Sequence, residues 1–71
     1  MSDNKYYMIT MLGTKSISPG ITQQVLWHNS YKFIEGVHTT ESLLGKSLFD
    51  FGKEHPGYKM TDYLINKINL D

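Results

Sequence analysis

The sequence predicts an α+β fold in which a small, three-stranded, mainly antiparallel sheet carries two helices on one face. Three runs rich in β-branched and aromatic residues indicate the strands, and two stretches with apolar residues at helical spacing indicate the helices. A chain of 71 residues has room for one small core. We therefore expect residues 1–71 to form a single domain.

The first predicted strand, residues 5–12, is apolar and aromatic and contains no Gly or Pro. The following segment, residues 13–20, has a Gly at each end and Pro19 before the second one. This composition is typical of a surface loop.

The second and third predicted strands are residues 21–28 and 31–38. Asn29 and Ser30 stand between them, and two small polar residues in that position favour a tight hairpin turn. In such a hairpin Trp27 lies opposite Lys32 on the same face of the sheet.

The first predicted helix begins at Thr39 or Thr40, either of which supplies a capping hydroxyl. Its apolar stripe is Leu44, Leu48 and Phe51, and a later Gly favours an end near residue 52. An alternative is a helix that stops at Gly45, followed by a strand over residues 47–51.

The second predicted helix follows a break at residues 55–57, which read His-Pro-Gly. Thr61 caps this helix, and its apolar stripe over residues 62–69 consists of Leu64, Ile65 and Ile68.

Self-association is expected because the core is small and both faces of the predicted sheet carry apolar residues. The chain has no Cys, so disulfides cannot supply the missing stability. We expect a homo-oligomer whose interface includes Tyr6, Met8 or the Trp27 face. The five Tyr, three Phe and one Trp fit this expectation, although Tyr side chains can instead reach water from the edge of a sheet.

Catalysis is not expected, because a chain of this length has little material for an enclosed pocket. Residues 40–47 match the end of a phosphate-binding loop at Gly45, Lys46 and Ser47, but Thr40 stands where that motif needs Gly. The three His have no spacing typical of a zinc site. We therefore expect neither a metal ion nor a cofactor.

Duplex nucleic acid is an improbable partner, because seven Lys are interleaved with seven acidic residues and Arg is absent. The sequence offers no candidate signal peptide or membrane span, so we expect a cytosolic protein that does not bind membranes. The absence of Arg and Ala beside many Lys, Ile, Asn and Tyr suggests an AT-rich gene, either of a phage or of a low-GC bacterium.

The predicted function is stoichiometric, non-enzymatic capture of a partner, as in a phage-encoded inhibitor of a host protein. The alternative is an oligomer that sequesters a small nucleotide-like ligand between subunits through aromatic stacking and Lys contacts. The candidate binding residues are those of the 13–20 loop together with the neighbouring aromatic and basic side chains: Lys15, Ser16, Ser18, Trp27, Tyr31 and Lys32. A purely connecting loop, with Ile17 in the core, is the simpler alternative.

Overall fold

The computed structural model describes residues 5–69, which form three strands and one helix. The elements in chain order are β1 (Lys5–Ser18), β2 (Ile21–Phe33), α1 (Thr40–Glu54) and β3 (Lys59–Asn69). Both strand pairings are antiparallel, and the order β2-β1-β3 makes β1 the central strand. The predicted α+β class and three-stranded antiparallel sheet are confirmed, whereas the prediction of two helices is wrong.

The β1–β2 hairpin replaces the predicted loop at residues 13–20. The backbone of β1 stays extended to Ser18 and pairs with β2, with Lys15 opposite Gln23. Only Pro19 and Gly20 form the turn, and Gly20 has the positive φ of 80° that a Pro-Gly turn requires. The loop prediction failed because this dipeptide reverses the chain in two residues and leaves the rest free to pair.

The second strand runs through Asn29 and Ser30, which lie opposite Ile9 and Met8 of β1. The predicted hairpin turn at these residues is therefore wrong, as is the third strand at 31–38. Neither residue is Gly, which most readily takes the positive φ values of a two-residue hairpin turn. The chain turns instead at residues 34–37, where Ile34 O accepts hydrogen bonds from the amides of Val37 and His38.

Helix α1 is capped at its N-terminus by Thr39, as the sequence predicts. Thr39 Oγ1 accepts a hydrogen bond from Ser42 N, and Ser42 Oγ accepts one from Thr39 N. The helix continues past Gly45 and Gly52 to Glu54, which excludes the alternative of a strand at residues 47–51.

Strand β3 occupies the segment predicted as the second helix. Its residues pair with the free edge of β1, with Ile65 opposite Ile9 and Leu64 opposite Thr10. Thr61 is unopposed at a bulge, and its hydroxyl donates to Leu12 O rather than capping a helix. The spacing of the apolar residues fits a helix, but hydrogen bonding to the open edge of β1 stabilises the strand instead.

The core lies between α1 and one face of the sheet. Phe51 packs edge-on against Trp27, with ring centroids 5.7 Å apart, and its ring lies directly on Gly13. A Cβ atom at residue 13 would overlap Phe51 Cζ, so this strand position requires Gly. The buried apolar residues of the core are Ile9, Met11, Trp27, Tyr31, Leu43 and Phe51.

The molecule is elongated, with principal extents of 54 × 20 × 16 Å. Its radius of gyration of 14.4 Å exceeds the value of about 11 Å expected for a compact chain of this length. The cause is the end of the hairpin, residues 15–23, which extends beyond the last β1–β3 pair as a two-stranded ribbon.

Candidate functional site

One face of the sheet lies opposite α1 and is called here the open face. Side chains alternate along each strand, so the residues between the buried positions of β1 and β2 point away from the helix. This set is partly exposed and mixes apolar with polar groups. Its members near the centre of the sheet are Tyr6, Met8, Thr10, Leu12, Leu26, His28 and Leu64.

A groove of about 350 Å³ lies on the open face, across all three strands. Leu26 of β2 and Leu64 of β3 belong to its walls and are 70% and 57% exposed. Leu12 of β1, between them, is half-buried. The remaining lining residues are Thr10, Asp62 and Tyr63.

Asp62 adds a carboxylate to the lining of the groove. Its Oδ1 accepts a hydrogen bond from Tyr63 N at 2.9 Å, which fixes the carboxylate next to the apolar walls. Within residues 5–69 no lysine or histidine lies within ion-pairing distance of Asp62. The groove therefore combines an aliphatic surface with one carboxylate, and it suits a ligand group that has an apolar stem and a cationic end.

Two of the predicted binding residues, Trp27 and Tyr31, are buried beneath α1 instead of forming a stacking platform. The Tyr31 hydroxyl donates a 2.7 Å hydrogen bond to Asp50 Oδ2 and receives one from Asn29 Nδ2. Burial and the bond to Asp50 raise the pKa of Tyr31 to about 12. The phenol is thus kept protonated as part of the strand–helix contact.

The other four predicted binding residues are exposed but do not meet Trp27. Lys15, Ser16 and Ser18 lie on the projecting ribbon, and Lys15 Nζ is 5.7 Å from the centroid of the Tyr58 ring. Lys32 follows Tyr31 in the same strand and so points to the open face. The predicted Trp27–Lys32 pairing is wrong, because both residues belong to β2.

The residues that form the groove were not predicted as binding residues. Leu64 was assigned to a helix stripe, and Leu26 to the face of the predicted hairpin opposite that of Trp27. The usable signal was the alternation of side chains along a strand. Leu26 lies between Val25 and Trp27, which pack in the core, so it had to face away from them.

The phosphate-loop resemblance has no counterpart in the structure. Gly45, Lys46 and Ser47 lie inside α1, and the buried Ser47 hydroxyl donates to Leu44 O at 2.7 Å. That hydroxyl is directed to the helix backbone and not to a ligand.

Among residues 5–69, no three His, Asp or Glu side chains come close enough to hold a metal ion together. His38 Nδ1 accepts a hydrogen bond from Ile34 N, and His55 packs between the rings of Phe51 and Tyr58. Within the same residues, the one helix has neither the length nor the apolar character to cross a membrane.

No protein-family model, curated protein sequence or solved structure matches this chain.

Proposed function

We propose that the protein is a non-enzymatic binding protein that captures a second protein through the groove of the open face. The observation that supports this is the pair of exposed leucines, Leu26 and Leu64, on either side of an open groove in the sheet. Contiguous exposed apolar surface with a polar rim is typical of a protein interaction site. Stoichiometric capture of this kind suits an inhibitor that masks a host protein.

The chemistry of the groove favours a particular anchor on the partner. An Arg or Lys side chain has an apolar stem that can lie between Leu26 and Leu64 while its charged end reaches Asp62. Arg is also enriched at the energetic centres of protein interfaces. We propose that the partner presents a surface Arg or Lys flanked by apolar side chains.

The nucleotide-binding alternative has weaker support. Its aromatic residues, Trp27 and Tyr31, are covered by α1, and its polar residues lie on the ribbon. A thermal-shift screen with nucleotides tests it directly. A nucleotide that raises the Tm of the native protein but not of a K15A/S16A/S18A variant would favour this alternative.

The main experiment selects peptides from a random displayed library on the immobilised protein. Enrichment of Arg or Lys next to apolar residues is expected, and the selected peptides should perturb the amide signals of Thr10, Leu26 and Leu64 in NMR titrations. The variant Leu64→Lys should lose this binding, since it places a cation beside the carboxylate of Asp62 and removes an apolar wall.

The matched control is Ile17→Lys, which makes the same kind of change at a ribbon residue that is 59% exposed. This variant should bind the selected peptides as the natural sequence does. Equal loss of binding in both variants, or selection of peptides without basic residues, would contradict the proposal.

A further inference from the structure

The two edges of the sheet differ in how they are protected against pairing with another chain. The β3 edge carries three charged residues, Lys59, Asp62 and Lys67, and a bulge at Thr61. The β2 edge has 13 residues, no Pro and only one Lys, Asp or Glu, which is Lys32 near its end. Its pairing with β1 is uninterrupted from Thr22 to Phe33. Charges and bulges are the usual means by which sheets prevent edge pairing, so β2 is the unprotected edge.

We propose that β2 pairs with β2 of a second copy of this chain, in antiparallel orientation about a two-fold axis. The product is a continuous six-stranded sheet in the order β3-β1-β2-β2-β1-β3. This surface is different from the groove, so the inference goes beyond the proposed function.

A second copy of the chain is the partner that best fits the β2 edge, because pairing about a two-fold axis gives a closed assembly. A two-fold pairing uses both unprotected edges at once and leaves the charged, bulged β3 strands at the two outer ends. The assembly therefore stops at two chains. A strand supplied by an unrelated protein would cover the β2 edge of one molecule only.

The register follows from the length and charge of β2. Centring the two-fold axis on Trp27 gives the longest ladder and places Gln24 opposite Ser30 of the partner subunit. Lys32 then lies opposite Thr22 of the partner subunit, so the two Lys32 side chains are about 34 Å apart at opposite ends of the ladder. No like charges meet along β2.

Helix α1 is compatible with this pairing. Its Phe51 touches both Gly13 of β1 and Trp27 of β2, so the helix lies over these two strands. A two-fold axis at the β2 edge then brings the two helix axes to about 10 Å from each other, the spacing of packed helices.

The facing sides of the helices are complementary in charge. Lys46 and Asp50 point to the β2 side, because both contact Tyr31, and Lys53 follows Asp50 by about one turn. In antiparallel helices, Asp50 of each copy comes near Lys53 of the other. Phe49 is 68% exposed, and the centroid of its ring lies 5.4 Å from Lys53 Nζ. The same contact between helices would bury this ring.

Sedimentation equilibrium of the full chain tests the pairing. The natural sequence should form dimers, and a Q24K/S30K variant should raise the dimer dissociation constant by about tenfold, because lysines then face each other at two places along the ladder. The matched variant Q24K/S30E has the same first substitution but puts opposite charges together, so it should remain dimeric.

A crosslinking experiment gives a second measurement, because the chain has no Cys of its own. Mild oxidation of a Q24C/S30C variant should give a covalent dimer, since these positions are adjacent between copies and about 20 Å apart within one β2 strand. The single variant Q24C should not crosslink, since its two thiols are distant in the proposed register.

Several results would overturn this inference. One is a protein that stays monomeric at millimolar concentration, and another is an assembly that grows beyond dimers. A third is an equal dimer dissociation constant for Q24K/S30K and Q24K/S30E. Dissociation by Leu64→Lys would show that copies meet through the open face instead. Since Leu64→Lys should abolish peptide binding but keep the dimer, failure of the two proposals can be told apart.

Discussion

The Tyr31 hydroxyl and the Asp50 carboxylate are joined by a 2.7 Å hydrogen bond that connects edge strand β2 to helix α1. Lys46 of the same helix lies over the Tyr31 ring, with its Nζ 5.9 Å from the ring centroid. The phenol is thus held between β2 and the helix that packs on the sheet. Its protonation state affects how firmly α1 is held.

Alkaline pH should reveal this bond. Tyr31 has a pKa of about 12 in the folded protein against 10.0 for a free tyrosine, mainly because of burial and then because of Asp50. Between these two pH values the unfolded chain binds fewer protons than the folded one, so the free energy of unfolding falls as pH rises through that window. Urea unfolding should show this decline in the natural sequence and a shallower one in Tyr31→Phe. Tyr63→Phe, at an exposed site, is the control and should keep the full decline.

Gly13→Ala should destabilise the fold by about 1–3 kcal/mol, because the added methyl group overlaps the Phe51 ring. Combining it with Phe51→Leu should cost less than the sum of the two single changes, because the smaller side chain gives up the contested space. Gly45→Ala is the control: nothing lies within 4 Å of its added methyl group, and it should stabilise the helix by about 1 kcal/mol. If the two single changes in the free energy of unfolding add up to that of the double variant, this interpretation of Gly13 is contradicted.

Thr39→Ala should cost about 1 kcal/mol of stability, because it removes the acceptor for Ser42 N at the start of α1. Thr40→Ala changes the neighbouring exposed threonine, which makes no capping hydrogen bond, and should have little effect. Thermal unfolding followed by far-UV circular dichroism, which reports secondary structure, measures the stability of both variants. Equal losses would mean that the cap is not the source of the effect.

Trp27→Lys should unfold the chain at every protein concentration. The sequence predicted that the Trp27 face lies in an interface between subunits, but Trp27 is 5% exposed and packs on Phe51 within one chain. A charge there is buried without a partner. Leu26→Lys, at the next residue and on the opposite face, should leave the protein folded. A folded, monomeric Trp27→Lys variant would contradict the position of Trp27 in the core.

The sequence predicted α1 well because its signals are local. Thr39 caps the helix, and the spacing of Leu44, Leu48 and Phe51 indicated its length. The buried stripe is nevertheless Leu43, Ser47 and Phe51, which includes a serine that satisfies its own hydroxyl on Leu44 O. A polarity pattern cannot identify a buried residue of that kind.

The sequence could not predict β3, because its state depends on distant residues. Leu64, Ile65 and Ile68 fit a helical stripe, but in the strand Leu64 and Ile65 lie on opposite faces of the sheet. The segment forms a strand and not a helix because it can pair with the second edge of β1, which β2 leaves open. The groove depends on the pairing of β3 with β1, because this pairing brings Leu64 and Asp62 beside Leu12.

The central position of β1 also sets the order in which the chain is expected to fold. Its two partners differ greatly in sequence separation: β2 follows after a two-residue turn, whereas Tyr6 pairs with Ile68 near the other end of the described chain. Closing the longer loop costs more chain entropy, so the hairpin should form first and docking of β3 should be the slow step. Until that step is complete, both edges of the hairpin are available to other molecules.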